Sequence, residues 1–378
     1  MSQSKFSHDE LAQYSRHLIL PEFNIEGQRR LKNASVLVLG AGGLGCPVLQ
    51  YLTAAGVGHI GIVDHDVIDQ SNLQRQVLYA HDDIGKSKAG TAAIKLSRIN
   101  PHVRFSVIDE KLTSQNALEI IRPFDVVCDG TDNFPTRYLI NDACVILGKP
   151  NIYGAIFRFE GQVSVFNYLN DGGHRGPQYR DIFPAPPPPG LIPDCAEGGV
   201  LGVLPGIVGS MQASEIIKLI TGIGAPLAGR LFIFDALSFE TRTLKISKNP
   251  ELIVPKELID YEDFCRLKDA TTKLFEEISV EELKEMRCKN ESFELIDVRE
   301  PYEYEIANLG GRLIPLRELE SRLDEISSAK KLILMCRSGT RSAKAVEKLK
   351  TLGFRNIYNL KGGILEWAQK IDTSLPRY

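Results

Sequence analysis

A short apolar run at residues 36–39 leads into Gly40-Ala41-Gly42-Gly43-Leu44-Gly45. Glycines at this spacing turn a strand sharply into a helix and let backbone N–H groups approach a phosphate. Asp64 closes the next apolar run, 24 residues after Gly40, where an acidic side chain meets a ribose hydroxyl. Further strand-like runs at 60–63, 104–108, 125–128, 163–166 and 231–235 alternate with helical patterns. That alternation predicts an α/β fold, a Rossmann-like mostly parallel sheet covered by helices. The glycine turn alone fits a nicotinamide or flavin cofactor as well as any other nucleotide.

The segments that follow favour a triphosphate. Ser71-Asn72-Leu73-Gln74-Arg75-Gln76, Gly85-Lys86-Ser87-Lys88 and Asp129-Gly130-Thr131-Asp132-Asn133 supply cations and a carboxylate just past a strand end. Arg75 and Lys88 offset phosphate charge, and Asp132 is placed to hold Mg²⁺. Taken singly, each is also an ordinary surface charge.

A second strand-to-helix junction occurs at Cys336-Arg337-Ser338-Gly339-Thr340-Arg341, after the apolar run 332–335. A loop this tight turns its N–H groups inward, where they and the helix dipole stabilise negative charge on sulfur. Cys336 is therefore expected to be a nucleophile, with Arg337 and Arg341 stabilising an anionic sulfur. A buried inert thiol is the commoner fate of a lone cysteine, but the loop length and the arginines weigh against it. A helical pattern at 280–287, a strand at 293–297 and a closing Gly362-Gly363 with Trp367 complete a compact second α/β domain.

At 378 residues the chain exceeds one core. Expected are an ATP-binding domain over 1–248, a linker over 249–273 rich in proline and acidic residues, and a smaller domain over 274–378. A net charge of -3 with no dominant basic block excludes nucleic-acid binding as the main activity. The most apolar stretch, 198–217, is interrupted by Pro205, Gln212 and Glu215, so no membrane span and a cytoplasmic location are expected. The seven cysteines contain no C-x-x-C pair, which argues against a disulfide framework. Cys46, Cys128 and Cys144 fall within expected strands or helices and read as core; Cys265 and Cys288 have no supporting motif. Cys195 follows the stiff proline tract at 186–189 and precedes Gly198-Gly199-Val200, which suggests an exposed loop.

Tyr14-Ser15-Arg16-His17, the turn at 40–45, the stretch 71–76, Asp132-Asn133 and Asp194-Cys195-Ala196-Glu197-Gly198-Gly199-Val200 together resemble the ubiquitin-activating-type enzymes of molybdopterin and thiamine synthesis. Leu295-Ile296-Asp297-Val298-Arg299-Glu300-Pro301-Tyr302-Glu303 and the Cys336 loop resemble the rhodanese family. The whole resembles their fusion, the adenylyltransferase-sulfurtransferase type. That resemblance implies ATP-dependent adenylation of the C-terminal Gly-Gly carboxylate of a ubiquitin-like sulfur carrier, followed by sulfur transfer from a Cys336 persulfide to give a thiocarboxylate. It implies ATP contacts at Gly40, Gly42, Gly43, Asp64, Ser71, Asn72, Leu73, Gln74, Arg75, Lys88, Asp132 and Asn133, with Mg²⁺ on Asp132. It implies a homodimer in which Arg16 reaches the partner subunit's phosphate site, a covalent role for Cys195, and a sulfur donor such as a cysteine desulfurase. The carrier most in keeping with the fusion is the small subunit of molybdopterin synthase; thiamine or tRNA-thiolation carriers, and a non-catalytic scaffold, stay open.

Two departures from the family pattern stand out. Where many members carry two C-x-x-C pairs for structural zinc, this chain has Gln178-Tyr179-Arg180-Asp181 and Leu252-Ile253-Val254-Pro255, so no zinc is expected, with apolar packing through Ile253 and Val254 in its place. The usual histidine-containing segment after Glu303 reads Asn308-Leu309-Gly310-Gly311. Asp297 and Arg299 are expected to form a structural polar network.

Overall fold

A computed structural model describes residues 5–187, 198–252, 255–266, 276–327 and 330–378. The chain divides into two units, Met1–Leu267 and Lys268–Tyr378, each built on its own sheet.

In the first unit the strands are β1 (Ser35–Leu39), β2 (His59–Val63), β3 (Arg104–Ile108), β4 (Val126–Asp129), β5 (Asn151–Phe157), β6 (Glu160–Phe166), β7 (Arg230–Asp235) and β8 (Thr241–Lys245). Their order is β3-β2-β1-β4-β5-β6-β7-β8. The first five pair in parallel and the last three join antiparallel. The helices are α1 (His8–Gln13), α2 (Ser15–Leu18), α3 (Asn24–Asn33), α4 (Gly45–Ala55), α5 (Lys88–Ile99), α6 (Ala117–Ile121), α7 (Phe134–Leu147), α8 (Leu204–Thr221) and α9 (Tyr261–Arg266). Strands β5 and β8 are additions to the sequence expectation. All five residues of β8 are exposed, so no apolar run marks it.

Successive residues of β1 face opposite sides of the sheet, and both sides are buried. Val36 and Val38 pack with Leu49 and Leu52 of α4, whereas Leu37 and Leu39 pack with Tyr138 and Ile140 of α7. Truncating such a residue to alanine costs about 2–5 kcal/mol. The strand order reverses at β1, with β2 on one side and β4 on the other, and the crevice beyond the carboxyl ends of these strands is where open α/β sheets bind ligands. Helix α8 absorbs the apolar stretch near 198–217. Its Glu215 is buried, pairs with Lys218 and accepts the Leu227 N–H at 2.7 Å. No described helix is long and apolar enough to cross a membrane.

Part of the expected linker packs as structure. Tyr261 at the start of α9 is buried against the α7 side of the first unit, and its hydroxyl donates to Asp142 Oδ2 at 2.7 Å.

The second unit holds β9 (Glu276–Ile278), β10 (Phe293–Asp297), β11 (Arg312–Leu313), β12 (Lys331–Met335) and β13 (Ile357–Leu360), all parallel, in the order β11-β10-β12-β13-β9. Its helices are α10 (Val280–Cys288), α11 (Pro301–Ile306), α12 (Thr340–Thr351) and α13 (Gly363–Lys370). The central strand β12 is again apolar on both sides: Ile333 and Met335 face one cluster, Leu332 and Leu334 the other.

Candidate functional sites

The glycine turn sits between β1 and α4. Gly45 is the third glycine for a steric reason: a Cβ there would fall 1.8 Å from the Gly40 carbonyl oxygen. Gly40 itself adopts a φ of +92° and donates its N–H to Val63 O at 2.8 Å, tying the turn to the end of β2. The end of β4 closes against it, with Gly130 O only 2.9 Å from where a Gly40 Cβ would stand.

Asp64 is held by that turn. Its carboxylate accepts the Ala41 N–H at 2.7 Å and the Asp66 N–H at 2.9 Å. Burial raises its pKa, and the two backbone donors act against that rise. Ser71 and Asn72 lie in a 3-10 turn capped by Asp69, which accepts the Ser71 N–H at 2.8 Å. Leu73 packs on the core behind this turn. Arg75 donates to Ser71 O at 3.0 Å, and its stem lies beside Gly43. Gln74 meets Gly202, whose Cβ would fall 2.3 Å from Gln74 Oε1, so the glycine-rich segment after residue 197 returns to this site. Cys195, Ile253 and Val254 lie outside the described residues.

Lys88 opens α5 with a buried side chain, and its Nζ pairs with Asp66 Oδ2 at 2.9 Å. Lys88, expected to offset phosphate charge, thus has a carboxylate partner in Asp66, which lies two residues after Asp64 and has no motif of its own. Burial opposes ionisation of Asp66, yet the Lys88 hydrogen bond holds its pKa below the ordinary carboxylate range. Tyr79 was also missed: its hydroxyl lies 2.8 Å from Ala41 O and 3.1 Å from Lys88 O, linking turn and helix.

Past β4, Asn133 caps α7 by accepting the Thr136 N–H at 3.0 Å, so its side chain serves the helix. Asp132 is exposed, and its carboxylate has no hydrogen bond or ion pair among the described residues. A free hard carboxylate at this end of the sheet fits a Mg²⁺ ligand. Arg16 does not join the group. It lies exposed on α2, just after Tyr14, whose ring packs under Gly56 at the far end of α4 from the glycine turn.

In the second unit β12 delivers Cys336 to the start of α12. The thiol is fully buried, and its sulfur receives the Gly339 N–H at 3.1 Å. Gly339 adopts a φ of +97°, which aims that N–H inward. Ser342 Oγ lies 3.3 Å from the sulfur, 2.7 Å from Asn359 Oδ1 and 3.1 Å from Gly339 O. Its single proton can turn to the sulfur when that atom becomes anionic. The first N–H groups of α13 secure the loop from below: Ile364 donates to Cys336 O at 3.0 Å and Leu365 to Arg337 O at 3.1 Å. Such proximity requires glycine at 363, because a Cβ would stand 2.4 Å from Cys336 O. Arg341 gives both terminal nitrogens to Glu303 at 2.6 and 2.7 Å.

Asp297 and Arg299 form the expected buried network. Arg299 is fully buried, donates through Nε to both Asp297 oxygens at 2.9 and 3.0 Å, and also reaches Ala307 O at 2.8 Å. Of the other described cysteines, Cys46, Cys128 and Cys144 are buried, Cys265 is half-buried and Cys288 is exposed. Burial pushes Cys46 up to about 12 and raises Cys128 and Cys144 as well.

The glycine turn and the cysteine loop match separate family descriptions: ThiF family over residues 14–254 and rhodanese-like domain over 279–370. The chain belongs to the ThiF family. Its rhodanese-like unit makes it one of the fused adenylyltransferase/sulfurtransferases. "Probable adenylyltransferase/sulfurtransferase MoeZ" of Mycobacterium tuberculosis is 47% identical over 382 residues, covering 99% of this chain and 97% of that protein. "Sulfur carrier protein adenylyltransferase" of Thermus thermophilus is 54% identical over 270 residues, covering 70% of this chain and all of the relative. "Adenylyltransferase and sulfurtransferase MOCS3" of Drosophila sechellia is 44% identical over 398 residues, covering 99% and 86%. Among solved structures, E. coli MccB with MccA-N7isoASN shares the fold at a TM-score of 0.57 and 21% identity, covering 68% of this chain and 77% of that one. As a ThiF-family adenylyltransferase the chain uses ATP.

Proposed function

We propose that the first unit adenylates the C-terminal Gly-Gly carboxylate of a ubiquitin-like sulfur carrier, and that Cys336 then supplies sulfur as a persulfide. The observation that carries this reading is one chain holding both a phosphate-binding glycine turn braced by Asp64 and a cysteine whose sulfur receives a loop N–H.

The carrier carboxylate attacks the α-phosphorus of ATP, and the bond to pyrophosphate breaks with its electron pair leaving on oxygen. An ionised carboxylate needs no general base, so the task is to offset charge between two anions. Arg75 and Lys88 supply positive charge beside the turn, and Asp64 positions the ribose. Mg²⁺ on Asp132 would neutralise phosphate charge. The terminal sulfur of the Cys336 persulfide then displaces AMP, giving an acyl disulfide. A second thiol cleaves the S–S bond, releases the thiocarboxylate and is left in a disulfide with Cys336 for a further thiol to reduce; Cys195 is assigned a covalent hold on the carrier, as a thioester or an acyl disulfide. The preferred carrier is the small subunit of molybdopterin synthase, and the sulfur donor a cysteine desulfurase.

The site is completed by a second copy of the chain. Helix α4 separates Tyr14 and the adjoining Arg16 from the glycine turn by about 16 Å, so Arg16 serves the partner's phosphates in a homodimer.

No zinc is required in this reading. Gln178 accepts from Asn141 at 2.9 Å, Asp181 accepts the Asn249 N–H at 2.7 Å, and Arg180 forms a bidentate pair with Asp142. The first and third contacts tie residues 178–181 to α7, and the Asp181–Asn249 contact ties them to the chain just ahead of residues 252–255.

ATP–pyrophosphate exchange with each Gly-Gly carrier of the same genome tests the proposal. Exchange dependent on one carrier and lost in Asp132→Ala supports it and names the carrier. Stable carrier binding without exchange would favour a scaffold instead.

A further inference from the structure

We propose that Gln76 is a further nucleotide-binding residue, donating from its side-chain Nε2 to a phosphate oxygen of ATP at the glycine turn; this rests on the reading of that turn as the phosphate site. Behind it stands a buried amide that pairs with nothing in the chain. Gln76 is 3% exposed, and its Oε1 is enclosed without a hydrogen-bond partner. Its Nε2 has none either among the described residues. Burying an unpaired amide is unfavourable, and such a group calls for a partner that the described residues do not supply.

The surroundings of the amide say where that partner binds. A Cβ on Gly42 would meet a single atom within 4 Å, Gln76 Nε2 at 3.6 Å. The donor end of the amide therefore borders the space left by the second glycine of the turn, the glycine whose missing side chain lets a phosphate approach the backbone. Main-chain contacts fix the glutamine in this place. Its N–H donates to Asn72 O at 2.9 Å, and its carbonyl accepts the Tyr79 N–H at 3.1 Å. The Tyr79 hydroxyl in turn lies 2.8 Å from the oxygen of Ala41, the neighbour of Gly42.

The chemistry of the amide selects the ligand atom. An amide nitrogen only donates, so what completes it must offer a lone pair, and a phosphate oxygen offers one together with negative charge. Being neutral, the glutamine needs no counter-ion before the nucleotide arrives, whereas a lysine or arginine enclosed to the same degree would.

Binding by the full-length protein tests this, with Gln76→Leu and Gln76→Met as uncharged variants of similar size. ATP with Mg²⁺ would be titrated by calorimetry in the absence of carrier, adenosine by ligand-observed NMR, and the melting temperature without ligand recorded for each protein. Both variants should bind ATP roughly 10- to 100-fold more weakly, the value of a hydrogen bond to a charged group. Adenosine affinity should be unchanged. The melting temperature without ligand should hold or rise, because apolar atoms replace an amide that had no partner in the chain.

Wild-type ATP affinity in either folded variant would overturn the proposal, as would equal losses toward ATP and adenosine, or a lowered melting temperature without ligand, which a purely structural glutamine would give. Gly42→Ala separates the proposal from the reading beneath it. Normal ATP affinity in a folded Gly42→Ala would move the phosphates away from the turn and refute that reading, and the role of Gln76 with it. Weakened binding in Gly42→Ala beside wild-type binding in Gln76→Leu would refute the role of Gln76 alone.

Discussion

Glu303 on α11 accepts both terminal guanidinium nitrogens of Arg341 on α12, joining two helices across 38 residues of chain. Burial opposes ionisation of Glu303, but the Arg341 hydrogen bonds outweigh it and hold its pKa below the usual glutamate range. A folded-state value below the unfolded one contributes stability above about pH 4.3 that is lost as pH falls through the folded value. Calorimetry of wild type and Glu303→Gln should therefore show a stability gap that is widest near neutrality and narrows as pH falls below about 4.3. A gap of constant size over that range would mean that the pair's charge contributes nothing.

The glycine turn separates two kinds of glycine. At Gly45 an added methyl would collide with the Gly40 carbonyl, a backbone atom that cannot step aside. At Gly42 the nearest neighbour of such a methyl is Gln76 Nε2, at 3.6 Å, an ordinary contact. Gly45→Ala is thus expected to cost roughly 4 kcal/mol or more of stability. Gly42→Ala should unfold within about 1 kcal/mol of wild type yet bind ATP more weakly, because its methyl occupies the face open to phosphate. Chemical denaturation paired with ATP titration distinguishes the two. Normal ATP affinity in a folded Gly42→Ala would remove that glycine from the site.

Features that depend on local backbone geometry were legible before the structure. Gly40, Gly45, Gly339 and Gly363 each answer to a turn or to a backbone neighbour, and the chain pattern reveals such demands. Side-chain partners brought from a distance were not legible. Glu303 lies 38 residues before Arg341, Tyr378 lies 41 after Arg337, and neither sits in a periodic pattern that points to its partner. The pairing of Lys88 with Asp66 was hidden for another reason: Asp66 looks like an ordinary surface charge, and nothing in the sequence shows that the fold buries the lysine beside it. β8 escaped notice because an exposed edge strand has no apolar face to advertise.

The polar clamp at 178–181 carries its own expectation. Asp142 is buried between Arg180 and the Tyr261 hydroxyl, which accounts for the docking of α9. Asp142→Ala would leave a half-buried guanidinium unpaired, at a cost of about 3–5 kcal/mol, whereas Tyr261→Phe removes one hydrogen bond to a charged group, about 1.5–3 kcal/mol. Metal analysis of the purified wild type should find zinc far below one per chain, with thermal unfolding indifferent to a chelator. Stoichiometric zinc whose removal lowers the melting temperature would show that the clamp does not stand in for a metal.

The position of Arg16 makes a prediction about pairs of chains. Tyr14 packs under Gly56, whereas the phosphate turn begins α4 at its other end, so an arginine side chain near Tyr14 cannot span the helix to its own site. If Arg16 acts across a homodimer, Arg16→Ala and Asp132→Ala are each inactive alone, yet a mixed dimer contains one site with both residues intact. Random reassortment of equal amounts should then restore roughly a quarter of the wild-type pyrophosphate exchange, since half the dimers are mixed and each has one working site. The mixture must be allowed to exchange subunits, and native mass measurement would verify that it has. Mixed dimers that form without regaining activity would place Arg16 outside the partner's phosphate site, and activity in Arg16→Ala alone would remove it from the chemistry.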